Sequence, residues 1–324
     1  MDDFLRSLDE PPEETRDEEG DSSTARDETN AEEEASAREP RDDERLGTAP
    51  IDNSEAFLRT ATVLLAPGSM QFDHGLEYSV SVTRAPTFQA DGTLSTERLR
   101  SRQWIIPFAV RYGIKEHVQG FLDIPFGYAL IEQENEDFDE FANTFGIGDI
   151  GIGTSILLNH DKKKDSQPDL IGSLSLSIPT GDNPFGIGAN DPALGTGFWG
   201  LSANLNAVQS YDPVVVFASV GYSHFFGRTY FGNHIQLGET ISYGFGAGMA
   251  INDEITLSTS LSGSYQFDTQ VDGVRFPRTS FEPISLRMAL TGTMFKCHIV
   301  EPFVRFGLTD DATDVNFGLN ITRL

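Results

Sequence analysis

An all-β fold, a transmembrane up-and-down antiparallel barrel of about 12 strands, is what this sequence predicts. Three observations lead there. From Gln71 onward the chain runs through twelve segments in which apolar and polar residues alternate, the two-residue period of a strand with one apolar and one polar side. The polar side is built of Ser, Gly and Asn, which suits a wet interior, whereas a soluble barrel needs a bulky apolar one. The connections alternate between long and short, as in barrels with long loops on one rim and tight turns on the other.

The chain opens with an acidic tail. Residues 1–55 hold 21 Asp/Glu and 6 Arg, a net of −15 within a total of −27, so the remainder carries −12. Residues 1–53 contain too few apolar side chains to offset the entropy of ordering and are expected to be disordered. Such a negative chain repels nucleic-acid phosphates, which excludes a nucleic-acid partner. The single cysteine, Cys297, rules out an internal disulfide, and no Cys/His spacing fits a zinc site.

Residues 54–67 read as a short helix. Ser54 suits a cap, Phe57, Ala61 and Leu64 fall on one face, and Pro67-Gly68 ends it. This segment is expected to act as a lumen plug, with Phe57, Leu58 and Arg59 as its contact residues. Residues 68–324 form the barrel.

Within the barrel, the first strand sets Phe72, Leu76, Tyr78, Val80 and Val82 against Asp73, Glu77, Ser79 and Ser81. The second sets Trp104, Ile106, Phe108, Val110 and Tyr112 against Gln103 and Arg111, and the third sets Leu122, Ile124, Phe126 and Tyr128 against Gln119 and Asp123. Residues 83–98 and 131–144 are assigned to long loops. The fourth strand, Phe145–Leu158, contains Gly146-x-Gly148-x-x-Gly151. That spacing matches a dinucleotide loop, but such a loop needs a strand before it and a helix starting inside it. Here an acidic loop precedes and alternation follows, so the segment reads as a glycine-rich strand whose glycines leave room on the inner side.

The fifth to seventh strands follow at 170–178, 199–206 and 214–223, and the eighth is drawn over 235–245. The ninth to twelfth lie at 255–266, 284–291, 300–308 and 315–321. Aromatics gather near strand ends on the long-loop side, among them Phe126, Tyr128, Trp199, Phe226, Tyr230 and Phe267, as interfacial belts do.

No catalytic constellation emerges, and neither a cofactor nor a metal is expected. The six histidines are scattered, and Asp310, Asp311 and Asp314 read as a solvated turn in preference to a calcium loop. By parity, Asp73, Glu77, Arg111, Asp123, Asp149, Arg287, Glu301 and Arg305 face inward. They are the candidates for the pore lining, as cross-strand ion pairs or as a constriction that grips Arg59.

The segments Thr62–Phe72, Gly146-Ile-Gly-Asp-Ile-Gly151, Ser177-Ile-Pro-Thr-Gly-Asp182 and Glu301-Pro-Phe-Val-Arg-Phe-Gly-Leu-Thr-Asp-Asp311 resemble the outer-membrane barrel family named after the phenol-degradation meta pathway. They also resemble the related secretion channel for bacterial functional amyloid. The resemblance spans roughly residues 56–324. It implies a twelve-stranded outer-membrane transporter with a periplasmic N-terminal region; from the amyloid channel it implies a homotrimer with a helical plug. The expected function is therefore an outer-membrane channel, not an enzyme. Its partners would be outer-membrane lipid and either a transported solute or an exported protein subunit. A sealed surface anchor and a soluble lipocalin-like binder are the rival readings.

Overall fold

The computed structural model of the chain describes residues 64–88, 94–134, 139–159, 167–182, 184, 192–252, 254–294 and 298–323. The acidic tail, the plug residues Phe57, Leu58 and Arg59, and Cys297 lie outside the described residues. Of the expected helix only the end is described, and Leu64–Ala66 there is not helical.

The wall is built from β1 (Met70–Phe88), β2 (Leu94–Lys115), β3 (Val118–Glu134), β4 (Asp139–Ile147), β5 (Ile150–Asn159), β6 (Asp169–Ile178), β7 (Gly200–Tyr211) and β8 (Val214–Phe225). Two short strands follow, β9 (Arg228–Tyr230) and β10 (Asn233–Gln236), then β11 (Thr240–Asn252) and β12 (Ile255–Gln266). Two more short strands, β13 (Gln270–Val271) and β14 (Val274–Arg275), precede β15 (Ile284–Met294), β16 (His298–Gly307) and β17 (Val315–Arg323).

Every wall pairing is antiparallel between neighbours, β17 pairs with β1, and the ring closes without a free first or last strand. β4 and β5 share one position, since both pair with β3 at different heights, so the barrel has twelve wall positions. Closure matters because an open edge in hydrocarbon would leave backbone groups without partners. β9, β10, β13 and β14 form a separate small sheet from the long connections.

The two faces differ as the alternation requires. Side chains such as Phe72, Leu76, Ile106, Phe108, Ile152, Leu174, Val220, Phe245, Leu290 and Phe317 are large, apolar and exposed, an arrangement that only a lipid environment stabilises. It runs against the soluble lipocalin reading. On the outer face one aromatic row crosses five strands in register: Phe317, Tyr78, Trp104, Tyr128 and Phe145. Its rings touch, with centroids 5.1 Å apart for Tyr78–Phe317, 5.0 Å for Tyr78–Trp104 and 5.6 Å for Trp104–Tyr128.

From Tyr112, near the tight turn, to Trp104 is eight residues on β2. That is about 27 Å along the strand and, at a barrel tilt near 40°, about 21 Å along the axis, close to the apolar height of such barrels.

The structure redraws three boundaries. Residues 83–98 and 131–144 are largely strand, because β1 to β4 continue past the aromatic row; there Arg98, Arg100, Arg102, Glu132 and Glu134 take the outward phase of β2 and β3 and interrupt the apolar period. Ile235 belongs to the small sheet, and β11 starts at Thr240. The expected fourth strand is broken at Gly148-Asp149, and the break changes the phase. Phe141 and Phe145 face outward from odd positions of β4, whereas Ile152 and Ile156 do so from even positions of β5.

Candidate functional site

The inner wall holds two separate charged groups. On β1 and β2, Arg111 Nε lies 3.2 Å from an Asp73 carboxylate oxygen. Asp73 also accepts hydrogen bonds from Thr322 Oγ1 at 2.6 Å and Gln71 Nε2 at 3.0 Å. Asp123 stands opposite Ala109 and Gly151 in register, exposed, and interacts electrostatically with Arg111 and Asp73.

The second group spans β15, β16, β17 and β1. Arg287 ion-pairs with Glu301, which is only 4% exposed and accepts further hydrogen bonds from Thr291 Oγ1 at 3.0 Å and Asn320 Nδ2 at 3.4 Å. Glu77 accepts from Asn316 Nδ2 at 3.4 Å, and Asn316 stands opposite Arg305 in register. The guanidiniums of Arg287 and Arg305 lie 4.5 and 5.8 Å from the Phe303 ring centre, within reach of the ring quadrupole. Seven of the eight charged candidates thus fall into two clusters on contiguous strands. The cross-strand spacing of about 5 Å makes such pairs from residues far apart in sequence.

The eighth, Asp149, does something that parity did not foresee. It sits in the break between β4 and β5, where one carboxylate oxygen accepts the Thr196 amide and hydroxyl, both at 2.7 Å, and the other accepts the Gly181 amide at 3.2 Å. Thr180 Oγ1 donates to the Gly148 carbonyl at 2.8 Å and accepts from the Ile150 amide at 3.1 Å. The Gly195 amide donates to Asp182 O at 2.8 Å.

Three stretches therefore meet at one node: 148–150, 180–182 and 195–196. They approach so closely that a Cβ on Gly181 would lie 2.9 Å from Gly195 Cα, and one on Gly195 would meet Asp149. Only glycine fits such a crossing. Sequence reasoning missed Thr180, Gly181, Gly195 and Thr196 as a unit. The only signal was that two of the segments carrying the family resemblance, 146–151 and 177–182, both end in this node.

The node lies beside a discontinuity in the wall. Above it β3 pairs with β4, β6 has ended at Ile178, and among the described residues β4 has no strand partner on its other edge. Outward Phe141 and Phe145 beside that edge are 76% and 78% exposed. On the inner side the Leu194 side chain lies over Gly127 and Gly146, and Thr144 Oγ1 donates to Asp182 at 3.4 Å. The same connection is held further along, where Gly197 O accepts Tyr230 Oη at 2.8 Å and Arg228 Nη1 at 3.1 Å over the fully buried Phe198.

The glycines expected to open space are in part covered. Phe121 occupies the room a Cβ on Gly153 would need, and Phe217 and Phe303 do the same over Gly246 and Gly318. Each is a directly paired cross-strand position. Asp311 and Asp314 accept the backbone amides of Glu282 and Val82 at 2.7 and 2.8 Å, so both carboxylates fasten loops.

At the tight-turn rim, the chain ahead of β1 crosses the inner wall. The Leu65 amide donates to Gln119 Oε1 at 3.1 Å, and Gly113 leaves the space that the Ala66 carbonyl fills.

Comparison with known proteins adds the following. Residues 61–291 match the family model described as "Putative MetA-pathway of phenol degradation". An outer membrane channel from Pseudomonas putida F1 superposes with a TM-score of 0.62 at 13% identity, covering 80% of this chain and 96% of that one. The translocator domain of the autotransporter NalP from Neisseria meningitidis gives 0.45 at 9% identity, covering 84% and 96%. The NanC porin gives 0.44 at 6% identity, covering 79% and 100%.

Proposed function

Since this chain belongs to the MetA-pathway family of phenol degradation, we propose that it is an outer-membrane channel for small apolar or aromatic solutes, which leave the barrel sideways at the β4–β5 break. One observation carries the reading: β4 has an edge without a strand partner among the described residues, with Phe141 and Phe145 outside it and Leu194 inside. An intact wall offers an apolar molecule only a polar exit; a gap between apolar side chains lets it move directly into lipid.

In this proposal the rim of long connections faces the exterior, and the termini lie on the periplasmic side. The aromatic row beneath the long connections supports that orientation. Transport involves no covalent chemistry. The inner clusters around Asp73 and Glu301 stiffen the wall and set its charge.

The segment before Leu64, with Phe57, Leu58 and Arg59, serves as a plug in the same reading. The Leu65–Gln119 bond supports this by directing the chain along the inner wall. It also keeps the functional-amyloid export channel as the second reading, since a subunit exporter would use the same entry.

Uptake in cells tests the first reading. A porin-deficient host expressing the chain should take up a labelled monoaromatic compound faster than the empty host, without matching acceleration for a sugar of similar size. Equal acceleration for both would reduce the protein to a general pore. Replacing Arg59 with Glu and recording single-channel conductance tests the plug, and unchanged conductance removes it.

A further inference from the structure

The sequence Arg98-Leu-Arg-Ser-Arg102 is used by neither cluster nor break, and it lies where the barrel leaves the bilayer. On β2, Arg102 is the next outward residue beyond Trp104 of the aromatic row, followed by Arg100 and Arg98. Two-residue steps spread the three guanidiniums over about 14 Å along the strand. Backbone pairing also places Arg84 of β1 at the register position opposite Arg98. A chain of net charge −27 has set three of its 23 basic residues within five positions of one strand.

Among the described residues, the acidic partners of the three β2 arginines are on β3. Arg98 meets Glu134 at 3.4 Å, while Arg100 and Arg102 share Glu132 at 3.6 and 3.1 Å. Glu134 is itself more than half exposed. Among the described side chains, three guanidiniums face two carboxylates at the depth where lipid headgroups begin. Guanidinium matches phosphate geometry in a two-point contact.

Directly below, Trp104, Tyr128 and Phe145 offer acyl chains an apolar surface.

We propose that Arg98, Arg100 and Arg102 form a binding site for the phosphates of an outer-leaflet glycolipid, whose acyl chains lie against the aromatic row. Glu132 and Glu134 hold the guanidiniums in a column and are displaced when phosphate binds. The lipid packs beside β3 and β4, and so borders the wall discontinuity. The inference rests on the orientation given under the proposed function, with the long connections outside.

The test uses the full chain in nanodiscs carrying bisphosphorylated lipid A, its dephosphorylated form, or neither, with retained lipid read by native mass spectrometry. The wild type should hold bisphosphorylated lipid A and release the dephosphorylated form, and inorganic phosphate in solution should not compete at millimolar levels. Replacing Arg98, Arg100 and Arg102 with Gln should weaken retention about tenfold or more. Replacing Glu132 and Glu134 with Gln should strengthen it, whereas a purely structural ion-pair ladder would lose retention in both variants.

Equal retention in the arginine variant, equal retention of dephosphorylated lipid, or loss in the glutamate variant would overturn the site. Whole-cell labelling of Val274→Cys, an exposed residue of the long connection between β12 and β15, in a Cys297→Ser background with a membrane-impermeant maleimide tests orientation separately. Labelling is expected. Its absence would overturn the orientation, and with it the choice of outer-leaflet lipid, whatever the nanodiscs show.

Discussion

Replacing Asp149 with Asn should release the node beside the wall discontinuity while sparing the barrel. The carboxylate accepts three hydrogen bonds, two on one oxygen and one on the other. An amide of the same shape has one acceptor oxygen, so its NH2 must face either the Gly181 amide or the Thr196 donors. One bond at least is lost, and the rest change from charge-assisted to neutral. With about 1.5–3 kcal/mol for a bond to a charged group and about 1 for a neutral one, and a discount because Thr196 is exposed, the loss is about 2 kcal/mol. That corresponds to about a 30-fold rise in local opening.

Amide hydrogen exchange reads this directly. In Asp149→Asn the amides of Gly181 and Thr196 should exchange about 30-fold faster, while those in the middle of β5 and β6 stay unchanged. If 181 and 196 exchange as in the wild type, the carboxylate does not hold the node. If β5 and β6 accelerate equally, the node is part of global stability and not a local fastening.

Four further outcomes follow from the inner wall. Glu301→Ala leaves Arg287 without its carboxylate and should cost about 2 kcal/mol or more, seen as a lower temperature for loss of the heat-resistant band on denaturing gels. Adding Arg287→Met should recover more than half of that, since the pair acts as a unit. Gly318→Val drives a side chain against the Leu76 carbonyl at 2.6 Å and the Phe303 ring at 2.9 Å, so refolding in urea should lose about 1–3 kcal/mol. Arg305→Glu puts a second carboxylate near Glu77 and should shift the reversal potential in a salt gradient towards cation selectivity; an unmoved potential would take this wall out of the conduction path.

The twelve wall positions were legible because lipid on one side and water on the other force a strict period of two. Leu257, Thr259 and Leu261 against Ser258, Ser260 and Ser262 show it plainly. That force ends where the bilayer ends. On β2 and β3 the outward phase beyond Trp104 and Tyr128 carries a single apolar residue among those described, Leu130, and then Arg98, Arg100, Arg102, Glu132 and Glu134, so these extensions resemble loops to a search for apolar alternation.

The break at Gly148-Asp149 left one trace. Ile147 and Ile150 are three apart, where an unbroken strand would put its outward residues two or four apart, and this is the phase slip found between β4 and β5. The node itself was hidden because Asp149 is held by the amides of Gly181 and Thr196, more than thirty residues away. Backbone donors carry no mark in a sequence. Parity placed Asp73, Glu77, Arg111, Asp123, Arg287, Glu301 and Arg305 on one face. Their division into two clusters depends on strand register, which alternation leaves open.

A reversible lock on the discontinuity tests the central claim. Thr144 and Asp182 already lie side by side, with Oγ1 and Oδ2 3.4 Å apart, so Thr144→Cys with Asp182→Cys in a Cys297→Ser background ties β4 to the segment beside it. Uptake of a labelled monoaromatic compound by cells expressing this variant should fall to the empty-host level when the pair is oxidised and return on reduction. Single-channel ion conductance should stay the same in both states. Aromatic uptake that ignores the disulfide would contradict the sideways exit.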